Sequence, residues 1–102
     1  MKPADSPEAR RRAIELLEAN HEFPCDFSVS VIARNDEAVT AAVLAAAAVG
    51  LETPLAEGSH ERRPSGQGTY VSHRLSVPCA SAEAVLALYA RLRAVDGVIT
   101  IL

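Results

Sequence analysis

The chain has no tryptophan and only two phenylalanines and two tyrosines among 102 residues, so its core must be packed from aliphatic and small side chains. Basic residues are in short supply as well: ten Lys and Arg against thirteen Asp and Glu give a formal net charge of -3. That balance excludes the extended positive field that holds a nucleic-acid backbone by counterion release, and leaves room only for a local basic patch. No apolar run approaches the roughly 20 residues that cross a bilayer, and the charged N-terminus does not suit an export signal. Cysteines number two, Cys25 and Cys79, enough for one intrachain disulfide at most; with no leader segment expected, a reducing, cytoplasmic setting keeps them as thiols.

What is present suits one domain. A length of 102 residues leaves no room for a catalytic domain joined to an independent substrate domain. Residues 1–22 predict a helical extension. Ser6 suits its N-cap and Pro7 its first position, where the missing N–H costs least. Ala13, Ile14, Leu16 and Leu17 make a short apolar stripe, while Arg10, Arg11 and Arg12 spread over several azimuths and form no single basic face. So short a stripe suits an appendage packed on its own domain or on a partner, and equally a frayed, solvated extension.

Residues 23–102 carry the domain proper. In FPCDFSVSVIARN, Phe27, Val29, Val31 and Ala33 share one strand face and Ser28, Ser30, Ile32 and Arg34 the other, which predicts a half-buried strand. Asn35 or Asp36 caps a following helix whose covering side is Val39, Ala42, Val43, Ala46 and Val49, with Gly50 as its stop. A loop leads to a hairpin whose turn, PSGQG, runs from Pro64 through Gly66 to Gly68. Its second strand sets Val71, His73, Leu75 and Val77 inward and Tyr70, Ser72, Arg74 and Ser76 outward. Ser81 then caps a helix with Val85, Leu88, Tyr89, Leu92 and Val95 on its apolar side, and past Asp96 and Gly97 the segment Val98 to Leu102 forms a short strand.

This order, with right-handed crossovers, places both core helices on one face of the sheet. The expected fold is therefore α+β: a ferredoxin-like two-layer sandwich, βαββαβ with an additional N-terminal helix, around a four-stranded antiparallel sheet whose other face stays open.

No catalytic constellation emerges. Cys25 and Cys79 lack the Cys-x-x-Cys spacing of a dithiol redox site, and no histidine spacing completes a four-ligand zinc site, so neither metal nor cofactor is expected. The two cysteines do fall where antiparallel central strands can bring them near each other. His60 and His73 become cross-strand neighbours only in one hairpin register; His73, set in an apolar alternation, suits a structural imidazole better than a base or ligand. The strand serines have no acid–base chain or oxyanion site, while Asp5, Glu8, Asp36, Glu37 and Glu83 suit helix N-termini. The PSGQG glycines permit an anion-binding nest, yet a segment joining two strands serves first as a turn. Enzymatic activity is not expected.

The open sheet face is the candidate ligand- or partner-binding surface, with Arg34, Tyr70, Ser72 and Arg74 as its residues. Arginine and tyrosine can stack on a base, bind a carboxylate or build a polar subunit interface. A single aromatic is a poor RNA platform, which makes nucleic acid the lowest-ranked partner.

At FPCDF, with Phe23, Pro24 and Phe27, and at PSGQGTYVS, from Pro64 to Ser72, the chain resembles the small bacterial YbeD-like (DUF493) family over about residues 21–102. The resemblance implies a ferredoxin-like fold similar to amino-acid-binding ACT regulatory domains, in a cytoplasmic family of unassigned role. It carries over Phe23 and Pro24 ahead of the first strand, Gly68 and Tyr70 at the hairpin exit and Ser72 beyond, none of them catalytic. Ser30 stands where related chains can carry a basic residue, which weakens a shared anion site. The expected role is a regulatory or protein-interaction module whose edge strand or open face joins a partner, as a homodimer or with another protein; the alternative is a domain for a small molecule such as an amino acid or anion.

Overall fold

The computed structural model describes residues 6–102. Asp5, expected to favour the first helix dipole, lies outside them. In chain order the elements are α1 (Pro7–Asn20), β1 (Cys25–Arg34), α2 (Glu37–Ala48), β2 (His60–Pro64), β3 (Tyr70–Cys79), α3 (Ala82–Arg93) and β4 (Val98–Ile101). The strands form one antiparallel sheet in the order β2-β3-β1-β4, the ferredoxin-like arrangement. β1 and β3 pair along all ten residues of each, from Cys25 opposite Cys79 to Arg34 opposite Tyr70.

Period-two alternation decides which side of this sheet is covered. Phe27, Val29, Val31 and Ala33 of β1 and Val71, His73, Leu75, Val77 and Cys79 of β3 are buried beneath the helices. From above, α3 contributes Ala82, Val85, Leu88 and Leu92, and α2 contributes Val39, Val43 and Ala47. The α2 face differs from the expected one, since Ala42 and Val49 are exposed and the buried row repeats every four residues. EAVTAAVLAAAA has almost no polar residues to mark an outer side, so contact with the sheet, and not periodicity, selects the face. Val49 closes the helix and Gly50, with φ +82, makes the left-handed turn after it.

The helix ends are satisfied by nearby groups. The Ser6, Asp36 and Ser81 side chains accept from N–H groups in the first turns of α1, α2 and α3. α2 has no basic residue in its last turn, and Arg91 of α3 supplies one from outside, its Nε donating to the Ala46 carbonyl at 2.8 Å. That bond ties the two core helices together where both cross the sheet.

α1 packs against α3 of its own domain. Leu17 reaches the core and Ala13 and Ile14 are half-buried, but Leu16 faces solvent, so the apolar stripe is narrower than expected. The scarce aromatics concentrate at this junction. The His21 ring lies 5.1 Å from Phe27, and Phe27 meets Tyr89 of α3 edge-on at 6.1 Å, joining the end of α1 to β1 and α3.

The turn from α3 into β4 depends on Gly97, whose φ is +100 and where a Cβ would stand 2.7 Å from Val39 Cγ2. Left-handed strain and collision with a buried valine add, so Gly97→Ala is expected to destabilise the fold by roughly 2 kcal/mol or more. Urea unfolding of the two proteins measures it, and an unchanged midpoint would refute the packing described for this turn.

Candidate functional site

On the uncovered side, cross-strand partners run in rows. Glu61, Arg74 and Ser30 make one, Arg63, Ser72, Ile32 and Thr100 the next, and Tyr70 with Arg34 the last. Ser30, Ser72 and Thr100 set short hydroxyl side chains around Ile32 in the middle of the face. Ser72 and Arg74 come together with Glu61 and Arg63 around a pocket of about 140 Å³.

Arg34 does not join them. Its guanidinium bends around the strand end to lie 3.3 Å from the position a Gly97 Cβ would take, lining a separate surface pocket with Asp36 and Asp96. Tyr70 stays on the open face, 44% exposed. The four residues singled out in the sequence thus divide, because backbone register fixes where a long side chain starts but not where its charged end settles.

The hairpin tip is a built turn. The Ser65 N–H donates to the Tyr70 carbonyl at 2.8 Å, the Gly68 N–H donates to the Ser65 carbonyl at 2.9 Å, and Gly68 takes φ +74. Asn35 then pins it to the end of β1, donating from Nδ2 to the Gly68 carbonyl at 2.9 Å and from its backbone N–H to the Thr69 carbonyl at 3.0 Å. Gly66 and Gly68 accordingly serve the turn, with Gly68's carbonyl accepting from Asn35, while Pro64, expected in the turn, ends β2 opposite Val71 because the strand pairing extends one residue further.

The two strand histidines meet diagonally. His60 is opposite Leu75 and His73 opposite Arg62, which sets both imidazoles on the helix-covered face. His60 Nε2 and His73 Nδ1 are 2.8 Å apart and share one hydrogen, with the rings stacked at 5.1 Å. His73 is fully buried and its Nε2 has no hydrogen-bond partner. Burial, and then the nearby positive groups, His60 and Arg62 for His73 and Arg62 for His60, hold both imidazoles below the usual histidine range. Among the described residues no carboxylate hydrogen bond to either ring accompanies this contact. Among the described residues no three His, Cys, Asp or Glu side chains gather where they could hold a metal ion.

One feature has only a faint sequence signal. β4 is an edge strand, and beside it Tyr89, Ala90, Arg93 and Ala94 of α3 form an open groove of about 870 Å³. Ile99, at the bulge in the β1–β4 pairing, is 58% exposed, and Leu102 is 71% exposed. The uncharged run VITIL is the only clue, since the same letters suit an interior strand.

A ferredoxin-like sandwich with a bare sheet face and a short helix ahead of it is the class of domain these features define. The family model described as protein of unknown function (DUF493) matches residues 18–102, from the last turn of α1 onward, and the chain belongs to that family. No curated protein and no solved structure matches the chain. No helix among the described residues is long and apolar enough to cross a membrane.

The histidine pair makes stability depend on pH. Above the ordinary pKa of about 6.5 both rings are neutral in the folded and unfolded chains alike. As pH falls below it the unfolded chain takes up protons first, so stability is lost until the lowered folded-state values are passed, and then levels off. Urea unfolding at pH 7.5 and pH 5 is expected to show this loss in the wild type and much less of it in His73→Gln. Equal pH dependence in both proteins would refute it.

Proposed function

We propose that the protein is a small regulatory or protein-interaction module that works as a homodimer assembled along β4. The carrying observation is the contrast between the two edges of the sheet. β2 presents His60, Glu61, Arg62 and Arg63 and ends in Pro64, a charged edge of the kind that repels a further strand. β4 has the sequence VITI, with no charge, and its outer side has no strand beside it. Exposed Ile99 and Leu102 flank the α3–β4 groove.

The occupant is a second copy because this edge is self-complementary. In a two-fold arrangement β4 meets β4 antiparallel, no like charges face each other along the strand, and each copy's Ile99 and Leu102 enter the other's groove. The open face supports a ligand less well, since the 140 Å³ pocket between Arg63 and Arg74 falls below the roughly 300–1,000 Å³ of small-ligand sites. RNA recognition has Tyr70 alone as a stacking surface there, the remaining three Phe and Tyr rings lying away from that face.

Sedimentation equilibrium across micromolar to millimolar protein is the test. The wild type is expected to dimerise, and Ile99→Lys to weaken the dimer at least about tenfold by setting two ammonium groups across the axis, with little change in monomer stability. A wild type that stays monomeric throughout, or an Ile99→Lys dimer of unchanged affinity, would overturn the proposal.

A further inference from the structure

Cys25 and Cys79 stand directly opposite each other, the first residue of β1 against the last residue of β3. Both belong to the inward-facing series of their strands. They also border one cleft of about 550 Å³, rimmed by Pro24, Asp26, Pro78 and the segment from Gly50 to Thr53. Cys79 is 3% exposed, Cys25 is half-buried, and both are free thiols. We propose that this pair is a reversible oxidation site, at which a small-molecule disulfide such as oxidised glutathione closes a Cys25–Cys79 disulfide that clamps the end of the central strand pair.

Geometry favours a labile bond over a permanent staple. The Asn35 N–H donates to the Thr69 carbonyl, which marks Asn35 and Thr69 as a hydrogen-bonded pair. Stepping back two residues at a time along β1 reaches Cys25, so Cys25 and Cys79 form the same kind of pair, with Cα atoms about 5.5 Å apart. That separation lies inside the window of about 4.4–6.8 Å for disulfides, but the Cβ atoms must close from about 5 Å to about 4 Å. Because each cysteine terminates its strand, the closure needs a pinch at that end of the pair only, and the inward residues from Phe27 onward keep their places. A bond formed against such a pull is more easily reduced than an unstrained one.

Accessibility sets the order of steps. The Cys25 thiolate attacks the glutathione disulfide, forming a Cys25–glutathione mixed disulfide and releasing one glutathione thiolate. Cys79 then loses its proton and displaces the second glutathione thiolate, forming the Cys25–Cys79 bond. Two protein thiols give up two protons and two electrons, and one glutathione disulfide becomes two glutathione thiols. Burial and the neighbouring Cys25 push the Cys79 thiol up, with Arg91 acting in the opposite direction, which makes Cys79 the poorer first nucleophile. The site is independent of the β4 interface, which lies at the opposite edge of β1 from β3.

The full-length protein is equilibrated with buffers of varied reduced-to-oxidised glutathione ratio, quenched in acid, alkylated in denaturant and weighed intact. The expected product is a single chain lighter by two hydrogens with neither cysteine alkylated, formed reversibly and melting about 5 °C above the reduced form. Cys79→Ala is expected to stop at the glutathione adduct on Cys25, and Cys25→Ser to form no intrachain bond. Two alkylatable thiols at every ratio would overturn the proposal, as would a wild-type adduct on Cys25 that never resolves, or disulfides found only between chains.

Discussion

Ten consecutive residues of β1 held against ten of β3 in one register are the constraint on which the rest of the molecule depends. With a side-chain period of two, that register puts the apolar residues of both strands on one face, Ile32 and Tyr70 excepted, and every serine and arginine on the other. A slip of one residue in either strand would turn Val29, Val31, Leu75 and Val77 against their partners' polar side. The two core helices have a surface to cover only because those residues agree. The same pairing sets Tyr70 beside Arg34, brings the hairpin tip within reach of Asn35 and aligns Cys25 with Cys79.

Around that pair, the two flanking strands are held differently and present different chemistry. β2 is an almost wholly exposed, charged strand retained by the tight PSGQG turn and by the stacked His60–His73 contact beneath the helices. β4 is short, uncharged and bulged, and returns to β1 only because Gly97 lets the chain turn closely over Val39. α1 adds a third layer of contact on α3, and three of the four Phe and Tyr rings gather there, leaving Tyr70 alone on the open face. Scarcity of rings therefore has a consequence for function: the bare face carries short hydroxyl groups around Ile32 and a single ring, while Ile99 and Leu102 leave apolar surface exposed at the β4 edge.

Much of this was legible in the residues. Strict alternation in FSVSVIAR and YVSHRLSV identified both central strands and their inner faces, and Ser6, Ser81 and the pair Asn35 or Asp36 marked three helix starts, Asp36 being the cap. Where pattern was weak, packing decided. The alanine-rich α2 shows Val39, Val43 and Ala47 inward and Ala42 outward, a choice its nearly uniform sequence does not encode. HERRP has no alternation, so β2 followed from the turn alone, and the histidines met on a diagonal that depends on loop geometry. The candidate site was half legible: Ser72 and Arg74 share a pocket, whereas the flexible stem of Arg34 carries its charge to the Gly97 turn. An edge strand was expected as a partner surface, but β4 was not singled out because burial and exposure of VITI differ only in what lies beside it.

The central register is tested most directly by NMR contacts between backbone Hα protons. In an antiparallel pair these are short only at non-hydrogen-bonded positions, which here alternate with the odd-numbered residues of β1. Contacts are expected between Ser28 and Ser76, Ser30 and Arg74, and Ile32 and Ser72. The same contacts displaced by one residue, such as Ser30 to His73, would contradict the pairing, and with it the placement of the core, the open face and the thiols.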